Sequence, residues 1–290
     1  MFFLGSNLTF QLFKGFITEK RLFLRRNSNR KSYKLLFFGS DRIALSSFKK
    51  VNEFRKQEKL IDRLDLVITK TSKIKTEIEK YAQKEEIKTI LWPLQSLQMA
   101  EYDLGLIVAF GHLIKKDLLA KFPLGMVNVH PSLLPRWRGA APIIYTLMHG
   151  DTTTGVTLMK IQPDIFDVGE IISQKRVDIP KDVKLPELTT QLSEIGAEML
   201  VYCIRNLPNS IEDTQPQSNE GVTYAKKINK NISEVRWSEM SAEGVYNLYR
   251  AVYGKTITKC STLKDIDRPN KKLMLHVQCD LYADLLLNNQ

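Results

Sequence analysis

The chain has 290 residues, enough for about two domains of ordinary size, so a small scaffold held together by disulfides or metal is excluded. Hydrophobic residues make up 43% and charged residues 26%, an ordinary globular balance, and no apolar run reaches the ~18 residues needed to span a bilayer. The formal charge of +11 favours a polyanionic partner and says nothing about fold.

That charge is unevenly placed. Residues 1–32 hold Lys14, Lys20, Arg21, Arg25, Arg26, Arg30 and Lys31 against one acid, Glu19, a net of +6 that leaves +5 for the remaining 258 residues. Phe10, Leu12, Phe13, Phe16, Ile17, Leu22, Phe23 and Leu24 are interleaved with these bases, which is the composition of a mitochondrial transit peptide. A secretory signal fits worse, because its positive region should precede the apolar stretch and here residues 1–13 carry no charge. A basic tail that grips RNA without specificity is the other reading.

After the leader, the apolar run 34–38 followed by Gly39-Ser40-Asp41 predicts a buried strand running into a turn. Similar runs at 64–69, 89–92, 104–110 and 126–129 predict further strands, and helical patterns fall at 76–85, 114–121 and 140–149. Strands alternating with short helices predict an α/β fold with a mostly parallel, doubly wound sheet covered on both faces. Two more strands are expected at 155–161 and 170–179, joined by the turn-rich Pro163-Asp164. A helix follows, with Pro186 in its first turn and Leu188, Leu192, Ile195 and Met199 on one apolar face. Periodicity then disappears over 206–221, rich in Pro, Asn, Ser, Gln and acids, which is the expected linker. Beyond it lie a basic patch at Lys226, Lys227 and Lys230, a helix at 242–252 and a strand at 273–279.

Cys203, Cys260 and Cys279 share no CxxC spacing and the four histidines do not cluster, so a reducing compartment and a protein without metal are expected. Neither GxGxxG nor GxxxxGK[ST] occurs, which argues against a dinucleotide fingerprint or a P-loop. In an open parallel sheet ligands bind beyond the carboxyl ends of the strands. Three places qualify: Gly111-His112 after one strand, Asn128 and His130 on another, and the 163–169 loop with Asp164 and Asp167. Residues two apart on a strand face the same side, so Asn128 and His130 can aim an amide and an imidazole at one carbonyl oxygen, as in acyl transfer. The same pair would equally serve to satisfy backbone groups of the following turn.

The segment NVHPSLLPRWRGAAP at 128–142, followed by GDTTTGVTLMKI and FDVGEII, closely resembles the methionyl-tRNA formyltransferase family. VAFGHLI at 108–114 and VTYAKKINKNISEVRW at 222–237 extend the likeness over about 33–252, and the leader makes it look like a mitochondrial form. The resemblance implies a catalytic trio of Asn128, His130 and Asp167; Asp164 is not the match, because Gly169 must stand two after the aspartate. It implies 10-formyltetrahydrofolate as formyl donor beside Val108, Phe110, Gly111, Ser132, Leu133, Leu134 and Pro135. The acceptor is then initiator methionyl-tRNA, approached by Arg136, Arg138, Lys226, Lys227 and Lys230. The implied organisation is a transit peptide over 1–32, a formyltransferase domain over 33–205, the linker, and an OB-like tRNA-binding unit over 222–290 that looks abbreviated. The family's basic loop also looks shortened, with Lys70, Lys73 and Lys75 as its cations. A monomer in the mitochondrial matrix, without a membrane contact, is expected. Two other readings stay open: an RNA-associated protein that keeps the domain without efficient turnover, and a transferase acting on a small amine. His112, His149 and His276 are expected outside the chemistry, and Trp92, Phe110 and Met126 in the core.

Overall fold

The computed structural model describes residues 32–69, 75–94, 102–236 and 239–254, except the side chains of residues 230 and 231. The leader up to residue 31, Lys70, Lys73, Cys260, His276, Cys279 and the expected strand at 273–279 lie outside the described residues.

The sheet is built as the alternation predicts. Strands β1 (Tyr33–Phe38), β2 (Ile61–Ile68), β3 (Thr89–Leu91), β4 (Leu104–Val108), β5 (Met126–His130), β7 (Thr153–Lys160) and β8 (Ile171–Asp178) form one seven-stranded sheet in the order β3-β2-β1-β4-β5-β7-β8. The first five are parallel, and β7 and β8 add on as antiparallel strands. The chain winds outward from β1 to β3 and then restarts at β4 on the other side, so the topological switch lies between the carboxyl ends of β1 and β4. The helices are α1 (Arg42–Gln57), α2 (Glu77–Lys84), α3 (Lys116–Leu119), α4 (Pro142–Met148), α5 (Leu185–Arg205), α6 (Asn209–Glu212) and α7 (Ala242–Val252). A two-stranded ribbon joins β6 (Arg138–Gly139) to β9 (Tyr224–Ala225).

Several boundaries differ from expectation for identifiable reasons. The strand expected over 104–110 ends at Val108, because Ala109 turns to a φ of 49°. The helix expected over 114–121 is reduced to the single turn of α3. Helix α1 has no counterpart in the expected elements. Asp41, read as part of a turn, accepts a hydrogen bond from the Ala44 N–H at 3.0 Å and caps this 16-residue helix. Ala44, Phe48 and Val51, spaced four and three apart, bury against the sheet, yet Ser47 and Asn52 are buried on the same helix and blur the apolar stripe.

Period-two alternation sorts each strand's side chains between two cores. Leu35, Phe37, Leu64, Leu66, Leu104, Leu106, Val127 and Val129 join the larger one with residues of α1 and α5. Leu36, Phe38, Val67, Ile107 and Met126 face the other, with Phe110, Ile114, Leu118 and Phe122. Each fully buried Leu or Phe contributes about 1.5–3 kcal/mol, so a register slip on β5 would cost several such contributions at once. This fixes the orientation of Asn128 and His130. They share the parity of Met126 and so lie on the smaller core's side, at the carboxyl edge of the sheet. A third cluster, Val235, Val245, Leu248, Tyr249 and Val252, packs α7 beside α4. Among the described residues no helix is long and apolar enough to cross a membrane.

Candidate active site

The end of β5 delivers two polar side chains into a nearly closed space, with Asn128 at 9% and His130 at 4% exposure. The third member comes from the loop between β7 and β8. Asp167, 9% exposed, adopts a φ of 55°, and its Oδ1 lies 3.5 Å from both Asn128 Nδ2 and His130 Nδ1. These separations exceed the usual 2.7–3.2 Å, so the three groups converge without being locked to one another. The other carboxylate oxygen, Oδ2, accepts a 2.8 Å hydrogen bond from the Gly139 N–H.

His130 is held in one orientation. Its Nε2 sits 2.9 Å from the Trp137 carbonyl oxygen, an acceptor only, so Nε2 carries a proton. The other ring nitrogen, Nδ1, faces Asp167.

The Ser132 to Gly139 loop that supplies this carbonyl is tied down by residues that the sequence does not flag. Thr157 stands opposite His130 in the β5–β7 pairing, and its hydroxyl donates to the Ser132 carbonyl at 2.6 Å while accepting from the Leu134 N–H at 3.1 Å. Gln174 Nε2 donates to the Leu134 carbonyl and to Thr157 Oγ1, each at 2.9 Å. The buried Trp137, at a φ of 62°, donates its backbone N–H to Thr223 Oγ1 and its indole N–H to Asp151 Oδ2, both at 2.8 Å.

Asp167 has its own supports. Gln217 Nε2 donates to the Asp167 carbonyl at 3.1 Å and the Gly169 carbonyl at 2.8 Å, and the Asp164 N–H bonds the Ile114 carbonyl at 3.1 Å. The glycine of the D-x-G pattern has a steric reason: a Cβ on Gly169 would stand 1.8 Å from the Lys160 carbonyl oxygen. The stretch expected as a linker thus carries α6, bridges Ile171 through Gln215 and clamps the Asp167 loop through Gln217.

The residues expected around the donor separate by role. Val108 and Phe110 are buried in the larger and the smaller core, and only Gly111 faces open space, since a Cβ there would meet nothing within 4 Å. Ser132 is fully buried and donates its hydroxyl to the Arg136 carbonyl at 2.6 Å, and Leu134 is buried, so both hold the loop. Leu133 and Pro135 are partly exposed, with a Leu133 methyl against Gly155. His112 is exposed and rests on Trp92 and Phe110, with ring centroids 5.5 and 5.1 Å away; His149 packs on Trp137 at 4.6 Å.

The expected acceptor contacts differ in charge balance. The Arg136 guanidinium makes a two-pronged pair with Asp151 at 2.8 and 2.6 Å, and that hydrogen bond raises its pKa. It also lies 4.3 Å over the Trp137 ring. Arg138 bonds only the neutral Gln217 Oε1, at 3.1 and 2.7 Å. Lys75, Lys226 and Lys227 are exposed.

Residues 49–204, which include all three converging side chains, match the sequence profile described as Formyl transferase. The chain belongs to the formyl transferase family. Human mitochondrial methionyl-tRNA formyltransferase is 38% identical over 265 residues, 89% of this chain and 66% of that protein. The mouse mitochondrial enzyme is 40% identical over 265 residues, 89% of this chain and 67% of its own length. The chain thus spans about two thirds of the length of these curated relatives. Among solved formyl transferase structures, the sugar 3N-formyl transferase WlaRD, in the presence of dTDP and 5-N-formyl-THF, matches with a TM-score of 0.59 at 20% identity, covering 76% of this chain and 79% of that one. The N-formyltransferase from Helicobacter canadensis, in complex with folinic acid and dTDP-3-aminofucose, matches with a TM-score of 0.62 at 22% identity, covering 80% and 85%. At these identities the structural matches speak for the fold.

Proposed function

We propose that the protein transfers the formyl group of 10-formyltetrahydrofolate to the α-amine of initiator methionyl-tRNA, as a monomer in the mitochondrial matrix, for initiation of translation. The names of the curated relatives support the acceptor and the compartment, and the formyl-folate compounds in the neighbouring structures support the donor. The observation that carries the reading is the convergence of Asn128 Nδ2 and His130 Nδ1 on Asp167 Oδ1 at the end of β5.

An α-amine has a reference pKa near 8, so a useful fraction is neutral and no Ser or Cys nucleophile is needed. The amine nitrogen attacks the formyl carbon and the carbonyl electron pair moves onto oxygen. Asn128 N–H and the Nδ1–H of protonated His130 turn onto that oxyanion, the 3.5 Å separation from Asp167 being too long to lock them, while the nearby Asp167 charge stabilises the imidazolium and the Trp137 carbonyl orients the ring through Nε2. Collapse breaks the bond to the folate nitrogen, and the proton lost by the attacking amine balances the one that nitrogen takes up.

In this proposal residues 33–205 are the catalytic unit, 206–221 form the connection and 222–290 belong to an OB-like unit, with tRNA contacted by Arg136 and Arg138 of the first and Lys226, Lys227 and Lys230 of the last. Residues 1–32 direct import, so fusing them to a reporter should deliver it to mitochondria; diffuse cytosolic signal contradicts that part. A transfer assay tests the whole reading. Product should require both 10-formyltetrahydrofolate and methionyl-tRNA, whereas transfer to a small amine with no dependence on tRNA contradicts the proposed acceptor.

A further inference from the structure

The β6–β9 ribbon joins the catalytic carboxylate to a side chain that has no evident structural duty. Tyr224 is 62% exposed although it lies in a strand, and among the described residues no ring packs on it and no group bonds its hydroxyl. In the parallel register Tyr224 stands opposite Arg138, and Ala225 opposite Gly139, so the Tyr224 and Arg138 side chains leave the ribbon on the same side. Gly139 is the residue whose N–H holds Asp167 Oδ2 at 2.8 Å. A Cβ on Gly139 would meet the Ala225 carbonyl oxygen at 2.5 Å, so the two backbones are in close contact. Tyr224 therefore directly precedes, in the same strand, the residue pressed against the backbone that positions the Asp167 carboxylate.

Cations stand opposite this ring in the ribbon and follow it in the chain. Arg138 is bonded to a neutral amide oxygen, and among the described residues no carboxylate pairs with it. Exposed Lys226 and Lys227 come directly after Ala225 in the chain. An open aromatic face among uncompensated cations is the arrangement that binds single-stranded nucleic acid, the ring stacking a base and the cations meeting phosphates. In an aminoacyl-tRNA the terminal base is separated from the reacting amine by only a ribose and an ester. A residue that meets that base must lie beside the catalytic trio, as Tyr224 does through Gly139.

We propose that Tyr224 stacks on the unpaired base at the 3′ end of the acceptor RNA and so sets the position of the aminoacyl group relative to Asn128, His130 and Asp167. The proposal rests on the tRNA acceptor argued above and names the part of that RNA which the ribbon recognises.

The test uses the full chain with methionyl-tRNA and with the same tRNA carrying 2-aminopurine as its terminal base. Wild-type protein should quench the 2-aminopurine fluorescence, Tyr224→Ala should not, and Tyr224→Phe and Tyr224→Trp should, because stacking needs the ring and not the hydroxyl. In steady state Tyr224→Ala should raise the KM for methionyl-tRNA by about 10-fold or more and lower kcat much less, with Tyr224→Phe near wild type. The slope of log affinity against log salt should stay unchanged in Tyr224→Ala, since no charge is removed. Equal quenching by wild type and Tyr224→Ala, or rescue by neither Phe nor Trp, would overturn the stacking role while formyl transfer by the wild type left the acceptor assignment standing. No transfer by the wild type would overturn both.

Discussion

The two halves of the trio are held by different means. Asn128 and His130 ride on β5, which is hydrogen-bonded to β4 on one side and β7 on the other, so the cooperative sheet sets their backbone. Asp167 sits on a loop at a φ of 55° and depends on separate tethers: Gly139 N–H, Gln217 and the Asp164 to Ile114 bond. The tether residues Gly139 and Gln217 lie 28 and 50 positions from Asp167 in sequence. The donors are therefore removed only by deleting their side chains, whereas the carboxylate can be displaced by changes elsewhere.

The sharpest test of that contrast is deletion on the strand. Asn128→Ala and His130→Ala should each lower kcat by about 100-fold or more with modest change in KM, and the double variant should lose less than the product, since the groups act as one unit. On the loop side, Gly169→Ala should come next. Its Cβ would stand 1.8 Å from the Lys160 carbonyl oxygen, so the loop must shift, lowering kcat together with about 1–3 kcal/mol of stability in denaturant titration. Gln217→Ala removes a tether without touching the trio and should lower kcat by roughly 10-fold, as expected for a misplaced group, with a smaller loss of melting temperature than Gly169→Ala because the carbonyls and Arg138 it leaves can meet water. If Gln217→Ala turned over normally, the loop would be rigid on its own and the contrast would fail.

Smaller effects fall outside the trio. Replacing Lys226, Lys227 and Lys230 together by Ala should flatten the plot of log tRNA affinity against log salt by roughly two to three units and leave folate binding intact. An unchanged slope would make these lysines a solvated face. Far from the site, the Glu85 carboxyl is held below its ordinary pKa, first by its hydrogen bond with Lys56 and also by one from Asn52. A lowered carboxylate pKa contributes stability above the unfolded value of about 4.3 and loses it as pH falls through the native value. The melting temperature of Glu85→Gln should thus lie slightly below wild type at neutral pH and converge on it in acid.

Legibility in the sequence followed the same division. Short continuous apolar runs marked β1, β4 and β5, and the two-residue spacing of Asn128 and His130 gave their shared face, while which core that face belongs to came only with the structure. Asp167 was legible only through its D-x-G pattern, whose steric cause, the Lys160 carbonyl against Gly169, is a contact across the loop that no local pattern encodes. Gln217, Thr157 and Thr223 carry no signal of their own, since a buried hydroxyl or amide looks like any surface one until its partners are placed. Gln217 also lies where composition suggests a linker. Helix α1 escaped because Ser47 and Asn52 sit in its buried face, Asn52 reaching Tyr81 at 3.1 Å and Glu85 at 2.9 Å.

The most direct test of the account is the rate of formyl transfer from 10-formyltetrahydrofolate to methionyl-tRNA, measured side by side for the full chain and its His130→Ala variant. The Trp137 carbonyl fixes Nε2 and leaves Nδ1 facing Asp167; since the proposed mechanism uses Nδ1 for the oxyanion, the wild type should form product only with both substrates present, and the variant should be slower by about 100-fold or more. Near-normal turnover by His130→Ala would contradict it.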